Sequence, residues 1–453
     1  MSAGLAIDFR YLYRGGSCAE QQAQSLGLRL ATFGGPEKHP CFFDAKIAQP
    51  RVVSAALLTV AEVVRTHFFL PRPGLLDPVV TCNDHVLRFE GFSACCGAYV
   101  RADFADESFD RPIAGRGTTN VDFNNEMRRG LTRLRSSRDA RISVGAEELS
   151  LHVDESRVVE KKVKLPLRWI KSFCETTAYL PRMQPKFTVS GSDLLRFLRS
   201  LARDAAKSAP AWVVKSGSGL RLSLREAKDG VRVMAAARLR VLESVAQLAD
   251  SAEIYASDET GVSAWDLRFP TGRLTLLLSP ELYRGFSGEG QALESLAATE
   301  WKNSIDQVRA ALTWNRDVDS NLLAAKLKLP AAEVDGALVV LGTRGLVGYD
   351  LAAQKYFHRE LPFDLSKIEE LQPRLTNARK LLAAGRVSLH CRESDDRSEV
   401  LVSGSDVEYL VRLAPDKDRC TCPWYAKHQG ARGPCKHVLA ARLFLDGESD
   451  ESC

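Results

Sequence analysis

Long apolar runs are missing from this chain of 453 residues. The longest, Val52 to Val64, falls short of the roughly 18 residues that a membrane-spanning helix needs, and it carries Glu62. The first residues, Met1 to Phe9, lack a basic stretch leading into an apolar one, and Asp8 interrupts them, so no export signal is expected. Cysteine is sparse: 11 residues, an odd number, far below the density of a disulfide-stapled scaffold. These absences lead us to expect a cytoplasmic protein with reduced thiols, in which a tight cysteine cluster calls for a metal. Charge of one sign is also scarce. With 62 basic and 57 acidic residues the net charge is +5, which excludes an all-over cationic coat and leaves room for a local patch. Neither a Walker loop nor a GxSxG elbow, an HExxH helix or a kinase signature set occurs, so no enzyme class and no small-molecule substrate is indicated.

What is present is ordinary globular composition, 45% hydrophobic and 26% charged. At roughly 100 to 200 residues per domain it suits an α+β chain of two to four domains. Residues 1–144 read as a mixed α/β unit, with a helix over Val52 to Thr66 and strands at Val86 to Glu90 and Ala98 to Phe104. Asn124 is placed to cap a further helix with Met127, Leu131 and Leu134 on one face. Arg128, Arg129 and Arg133 fall on the other face, either as a solvated surface or as a ridge for phosphates. Residues 145–290 read as β-rich with two helices. Ser192 to Asp204 precedes three strand-like runs, and Arg238 to Leu248 precedes three more, a possible duplication. Around Val159 to Trp169 the alternation predicts a strand with Lys162, Lys164 and Arg168 in a row beside Trp169, a wet sheet face or a backbone-binding row. The glycine-rich Tyr283 to Gly290 marks a boundary.

Residues 293–362 then supply three helical segments, Ala297 to Leu312, Ser320 to Leu327 and Ala331 to Leu341, followed by a hairpin of Leu346 to Asp350 and Lys355 to His358. This order resembles a winged helix. A DNA-reading helix needs Arg, Lys, Asn or Gln at base edges, yet the matching helix offers Glu333 and Asp335, so a protein-docking or structural role is favoured. Lys326, Lys328, Arg344, Lys355 and Arg359 keep the DNA reading open.

Residues 364–453 begin with an amphipathic helix, Leu365 to Ala384, capped by Gly385. Beyond it, residues 420–437 read CTCPWYAKHQGARGPCKH: Cys420-x-Cys422, twelve residues, then Cys435-x-His437. By composition such a pattern has a chance of roughly 0.002. Three thiolates and an imidazole suit tetrahedral Zn2+, and four protein ligands leave no open position, so the zinc is structural, one per chain. His428 lies between the pairs as a competing donor. Cys-x-Cys, a variable loop and Cys-x-His entering the apolar helix Val438 to Leu445, preceded by strands Val400 to Gly404 and Tyr409 to Leu413, resembles the SWIM zinc finger. That resemblance selects Cys420, Cys422, Cys435 and His437 as ligands, and implies a domain that binds DNA or protein in larger assemblies such as those of Swi/Snf-type ATPases, transposases and ubiquitin-pathway proteins. The segments GFSACCG (Gly91 to Gly97), GRGTTNVDFN (Gly115 to Asn124) and KVKLPLRWIK (Lys162 to Lys171) are similar to the N-terminal part of bacterial SWIM zinc finger proteins.

The expected function is therefore that of a zinc-binding protein whose finger meets nucleic acid or a protein partner. Between Asp416 and Arg442 six basic residues oppose two acidic ones, a local +4, and Lys427, Arg432, Lys436 and Trp424 are the candidate nucleic-acid contacts. The alternative is an enzyme with a site in residues 80–125, where Cys95 and Cys96 could join Thr118, Asn120 and Asp122.

Overall fold

The computed structural model describes residues 18–22, 25–29, 41–68, 77–83, 85–202, 209–282, 285–288, 290, 292–297, 301–361, 372–394, 397–404, 407–430 and 432–450. Through residue 278 one unit recurs four times: a lead element, a helix, then three antiparallel strands. The first copy runs from strand Cys41–Lys46 through helix Pro50–Arg65 to strands Val79–Asn83, Val86–Phe92 and Ala98–Ala105. Pro50 opens the helix with its φ preset, and Val53, Leu57, Val60 and Val64 bury one face. That face lies so close to the sheet that a Cβ on Gly91 would come within 2.4 Å of Val64 Cγ1. In the second copy the Asn124 side chain accepts the backbone N–H groups of Glu126 and Met127, capping helix Asn125–Leu134 as its sequence predicts, and Met127, Leu131 and Leu134 are buried. The last two copies are those visible in the sequence. Helix Gly191–Ser200 precedes strands Pro210–Ser216, Gly219–Ser223 and Val231–Met234, and the short helices Ala236–Leu242 and Glu243–Ala246 precede Ser251–Ala256, Ser263–Phe269 and Gly272–Leu278.

Eight strands from different copies form one antiparallel sheet, in the order Gln184–Ser190, Ser251–Ala256, Ser263–Phe269, Gly272–Leu278, Ala98–Ala105, Val86–Phe92, Val79–Asn83, Gly117–Asn120. It joins residues from both sides of the expected 144/145 limit, which itself falls inside strand Ala140–Gly145. One face is apolar: Leu267, Leu274, Ala102 and Phe89 stand in register across four strands. The opposite face carries polar rows, Glu253, Asp266, Thr275, Arg101 and Glu90 in one and Arg268, Arg273, Asp103 and Arg88 in the next. Alternation at period 2 produces both faces from the same strands.

Part of that polar face is covered by hairpin Val347–Asp350/Lys355–His358, which follows helices Ile305–Ala311, Ser320–Leu327 and Ala331–Thr343. The hairpin arrives with charge of its own. Asp350 reaches Arg101 at 3.2 Å and Arg273 at 2.8 Å, while Arg359 meets Glu90 at 2.6 Å, and Arg88 lies 3.5 Å above the Phe357 ring. Arg359 is 1% exposed, so it is not the surface cation expected for DNA; the carboxylate of Glu90, 269 residues earlier, takes it inside. Of the first expected helix, Ala297 to Leu312, the structure has Ile305–Ala311, and helix Ala292–Ala297 ends where the expected one begins.

One further expectation is corrected. The predicted strand through Trp169 ends with Ser156–Lys161, and Pro166 turns the chain into helix Leu167–Tyr179, where Trp169 is fully buried. Lys162 instead pairs with Glu147 at 3.2 Å, and Arg168 donates to the Ala94 carbonyl. Within the glycine-rich stretch expected to mark a boundary, Gly285–Gly288 is a 3-10 turn with Phe286 buried, its N–H on the Cys96 carbonyl. Among the described residues no helix is long and apolar enough to cross a membrane.

Candidate metal centre

Helix Pro373–Ala383 ends at Gly385, whose φ of +63° suits a residue without a side chain. The expected start of this helix at Leu365 lies outside the described residues. Four antiparallel strands follow, Val387–Ser394, Arg397–Ser403, Glu408–Leu413 and Arg419–Cys420, with helices Pro423–His428 and Lys436–Asp450 completing the unit. The long helix buries Val438, Leu439, Ala440 and Ala441 and packs against Pro373–Ala383 and the sheet.

Cys420 closes the short last strand, held opposite Val411. Cys422 is the N-cap of helix Pro423–His428, its sulfur accepting the Tyr425 N–H at 3.3 Å. Cys435 repeats this at the long helix, accepting the Val438 N–H at 3.4 Å, and His437 follows in its first turn. Two of the three sulfurs thus sit at helix N-termini, where N–H groups and the helix dipole favour thiolate. Among the thiols themselves, hydrogen bonds from Cys420 and Cys435 pull Cys422 well down, and the bond to Cys422 pushes Cys420 up.

The four side chains are buried and their ligand atoms lie within 4.8 Å of one another. Cys420 Sγ and His437 Nδ1 are 3.8 Å apart, a few tenths of an ångström beyond the roughly 3.5 Å sulfur–nitrogen edge of a zinc tetrahedron with arms of about 2.3 and 2.05 Å. The donor set and its burial fit zinc, which these four residues would hold as a closed structural site. The Tyr409 ring stacks on His437 at 4.4 Å and fixes its plane. His428 lies outside the cluster, against Trp424 at 4.7 Å.

Residues 409–443 match the SWIM zinc finger family. The chain carries a C-terminal SWIM zinc finger. No curated protein matches the chain significantly. Among solved structures the chain is similar to the proliferating cellular nuclear antigen of Entamoeba histolytica, at 12% identity and a TM-score of 0.37, over 53% of this chain and 100% of that one.

Around the SWIM finger, Lys427 and Lys436 are exposed, as are Lys417 and Arg419. Arg432 is half-buried and its carbonyl accepts from Arg374 Nη1 at 2.8 Å, as does that of Pro434. The same guanidinium lies 4.7 Å above the ring of the half-buried Trp424. Sequence reasoning missed Arg374 and Tyr409, because each acts across a fold contact that no local spacing encodes. Arg442 is bound to Asp418 at 2.7 Å.

The residues of the alternative site stay apart. Cys95 and Cys96 sit in the buried turn joining Val86–Phe92 to Ala98–Ala105, where burial pushes the Cys96 thiol up to about 11. Thr118 and Asn120 belong to the edge strand two places away, and Asn120 donates to the Val163 carbonyl. Burial raises the Asp122 carboxyl, whose charge acts on Glu160. A cavity of about 570 Å³ opens instead on the polar sheet face, lined by Arg88, Asp103, Glu253, Asp266, Arg273 and Asp350 among others, with no cysteine or histidine in its wall.

Proposed function

We propose that this is a zinc-dependent nucleic-acid-binding protein of the reducing cytoplasm, in which one structural zinc per chain holds a cationic surface in shape and takes no part in chemistry. The observation that carries this reading is the distribution of charge on the finger: Asp418 is consumed by Arg442, while Lys417, Arg419, Lys427 and Lys436 all face solvent. Exposed cations on a small rigid unit meet phosphates and release counterions, which gives sequence-tolerant binding. Trp424 contributes less than its position suggests, since Arg374 and His428 flank its ring. We read the three helices and hairpin of residues 305–358 as a winged-helix arrangement that docks within the chain, because its hairpin is buried on the polar sheet face.

A protein partner is the second reading, favoured by strand Val387–Ser394. It is exposed after Val387 and lies at the edge of its sheet, a template for an added strand.

Retardation of a mixed-sequence DNA duplex by the full-length protein across a salt series tests the first reading. Lys417→Glu with Lys427→Glu is expected to flatten the slope of log affinity against log salt by at least about 0.9 per cation, with zinc content unchanged. Absence of salt-dependent binding to duplex or single strands at low ionic strength refutes it and leaves the protein partner.

A further inference from the structure

We propose that helix Asn125–Leu134 and the loop that follows it form a second polyanion surface, separate from the finger, which binds the phosphate backbone of nucleic acid. Residues 128–138 read RRGLTRLRSSR, five arginines and no acid, so this segment alone carries +5. The fold sends the apolar residues inward and leaves the arginines outside: Gly130, Leu131 and Leu134 are buried, whereas Arg129, Arg133, Arg135 and Arg138 are exposed.

A solvated helix face is normally balanced by carboxylates nearby, and here, among the described residues, none is paired with Arg129, Arg133, Arg135 or Arg138. Glu62 takes Arg65 at 2.8 Å and Arg128 at 3.4 Å. Asp139 takes Lys46 at 2.9 Å, Asp44 takes Arg141, and Asp154 accepts from Ser137 at 2.9 Å. Glu126 stands in the first turn, where the helix dipole favours an acid. Arg133 is pinned by a 2.8 Å hydrogen bond to Ser156 Oγ, beside the exposed Arg157 of the neighbouring strand. Arg129 and Arg133, one turn apart, are separated by about 6 Å along the helix, so the guanidinium forks are presented in series, the geometry suited to successive phosphates.

The same face argues against a protein partner. Interfaces between proteins are anchored by buried aromatic or aliphatic side chains. On this helix and its neighbouring strand Ser156–Lys161 the exposed large hydrophobic is Val159, at 38%. Charge without an apolar anchor fits a backbone that is read by phosphate.

The test uses the zinc-loaded full-length protein, a mixed-sequence DNA duplex and poly-glutamate, with binding followed by anisotropy over a salt series. Arg129→Gln, Arg133→Gln and Arg135→Gln together should reduce the slope of log affinity against log salt by roughly 2.7, at about 0.9 per phosphate contact, and weaken low-salt binding at least tenfold. If the triple variant misfolds, Arg129→Gln with Arg135→Gln, which breaks no hydrogen bond seen here, should lose roughly 1.8. An unchanged slope overturns the proposal. Poly-glutamate binding that depends on these arginines while the duplex does not bind also overturns it, in favour of an acidic protein. The Lys417/Lys427 variant is scored separately, so a loss confined to it sinks this surface and spares the finger, and the reverse pattern does the opposite.

Discussion

Replacing Cys435 with Ser removes one of four donors and also the sulfur that accepts the Val438 N–H at the start of the long helix. Structural zinc in finger peptides binds with about 10 to 16 kcal/mol at neutral pH, so one donor in four is worth on the order of 3 to 4 kcal/mol, or about 10² to 10³ in affinity. The cap itself is kept, because the Ser hydroxyl is a good acceptor for the Val438 N–H at the N-terminus of Lys436–Asp450, so the loss is that of the zinc donor. The apolar contact of that helix with Pro373–Ala383 survives, since Val438, Leu439 and Ala441 pack through carbon. The expected outcome is a zinc-depleted protein whose first cleavage in limited proteolysis falls between residues 385 and 435, with residues 41–361 still folded. Competition against a calibrated chelator measures the loss directly. Zinc retained at wild-type affinity in Cys422→Ser/Cys435→Ser would refute the ligand assignment, and cleavage beginning in the N-terminal body would show that the finger is part of its core.

Asp266 makes stability pH-dependent. Burial raises its carboxyl to about 6, so its contribution is complete below the unfolded value near 4 and is lost as pH rises through 6, to a limit of roughly 3 kcal/mol. Asp266→Asn, which keeps an acceptor for Thr275, should raise the unfolding midpoint at pH 8 and leave it little changed at pH 4; equal midpoints at both pH values would contradict this. Arg359→Ala leaves Glu90 buried with Tyr99 as its remaining bonded partner and should cost about 3 to 5 kcal/mol, while Glu90→Leu with Arg359→Met should restore most of it in chemical denaturation; equal losses in the two variants would show that the pair is not coupled.

The sequence was most readable where the cause is local. Cys420, Cys422, Cys435 and His437 lie within 18 positions, so their convergence needs two turns and no long-range contact. Asn124 capping and the strands that alternate strictly are local in the same sense. The strand expected through Trp169 failed although its apolar positions, 159, 163, 165 and 167, keep period 2 with a gap at Lys161, because Pro166 suits a helix start as well as a strand end. The four-fold recurrence was half hidden, since the copies share an order of elements and the sequence showed that order only in the last two, which have negligible identity to each other. Arg359 reads as surface charge, because nothing local tells that its partner is Glu90, just as nothing local tells that Asp350 reaches Arg88 and Arg101.

Those partners bear on what the polar sheet face is for. Burying a guanidinium and a carboxylate together gains little over well-packed apolar side chains, so Glu90–Arg359 and the Asp103–Arg101–Asp350–Arg273 chain are poor explanations of stability. They do restrict geometry. An apolar hairpin slipped by one residue would turn its faces over at modest cost, whereas here a slip would withdraw Asp350 from three arginines and leave them desolvated. The hairpin is therefore held in one register on the sheet, and helix Ala331–Thr343 is held with it, packed against Leu167–Tyr179 so tightly that a Cβ on Gly342 would come within 2.4 Å of Thr177. From there, helix Ala292–Ala297 contacts both Ala331–Thr343 and Lys436–Asp450, which starts at the zinc ligands. The metal site is thus tied to the rigid body by packed helices, and cations displayed on finger and body have fixed positions relative to one another.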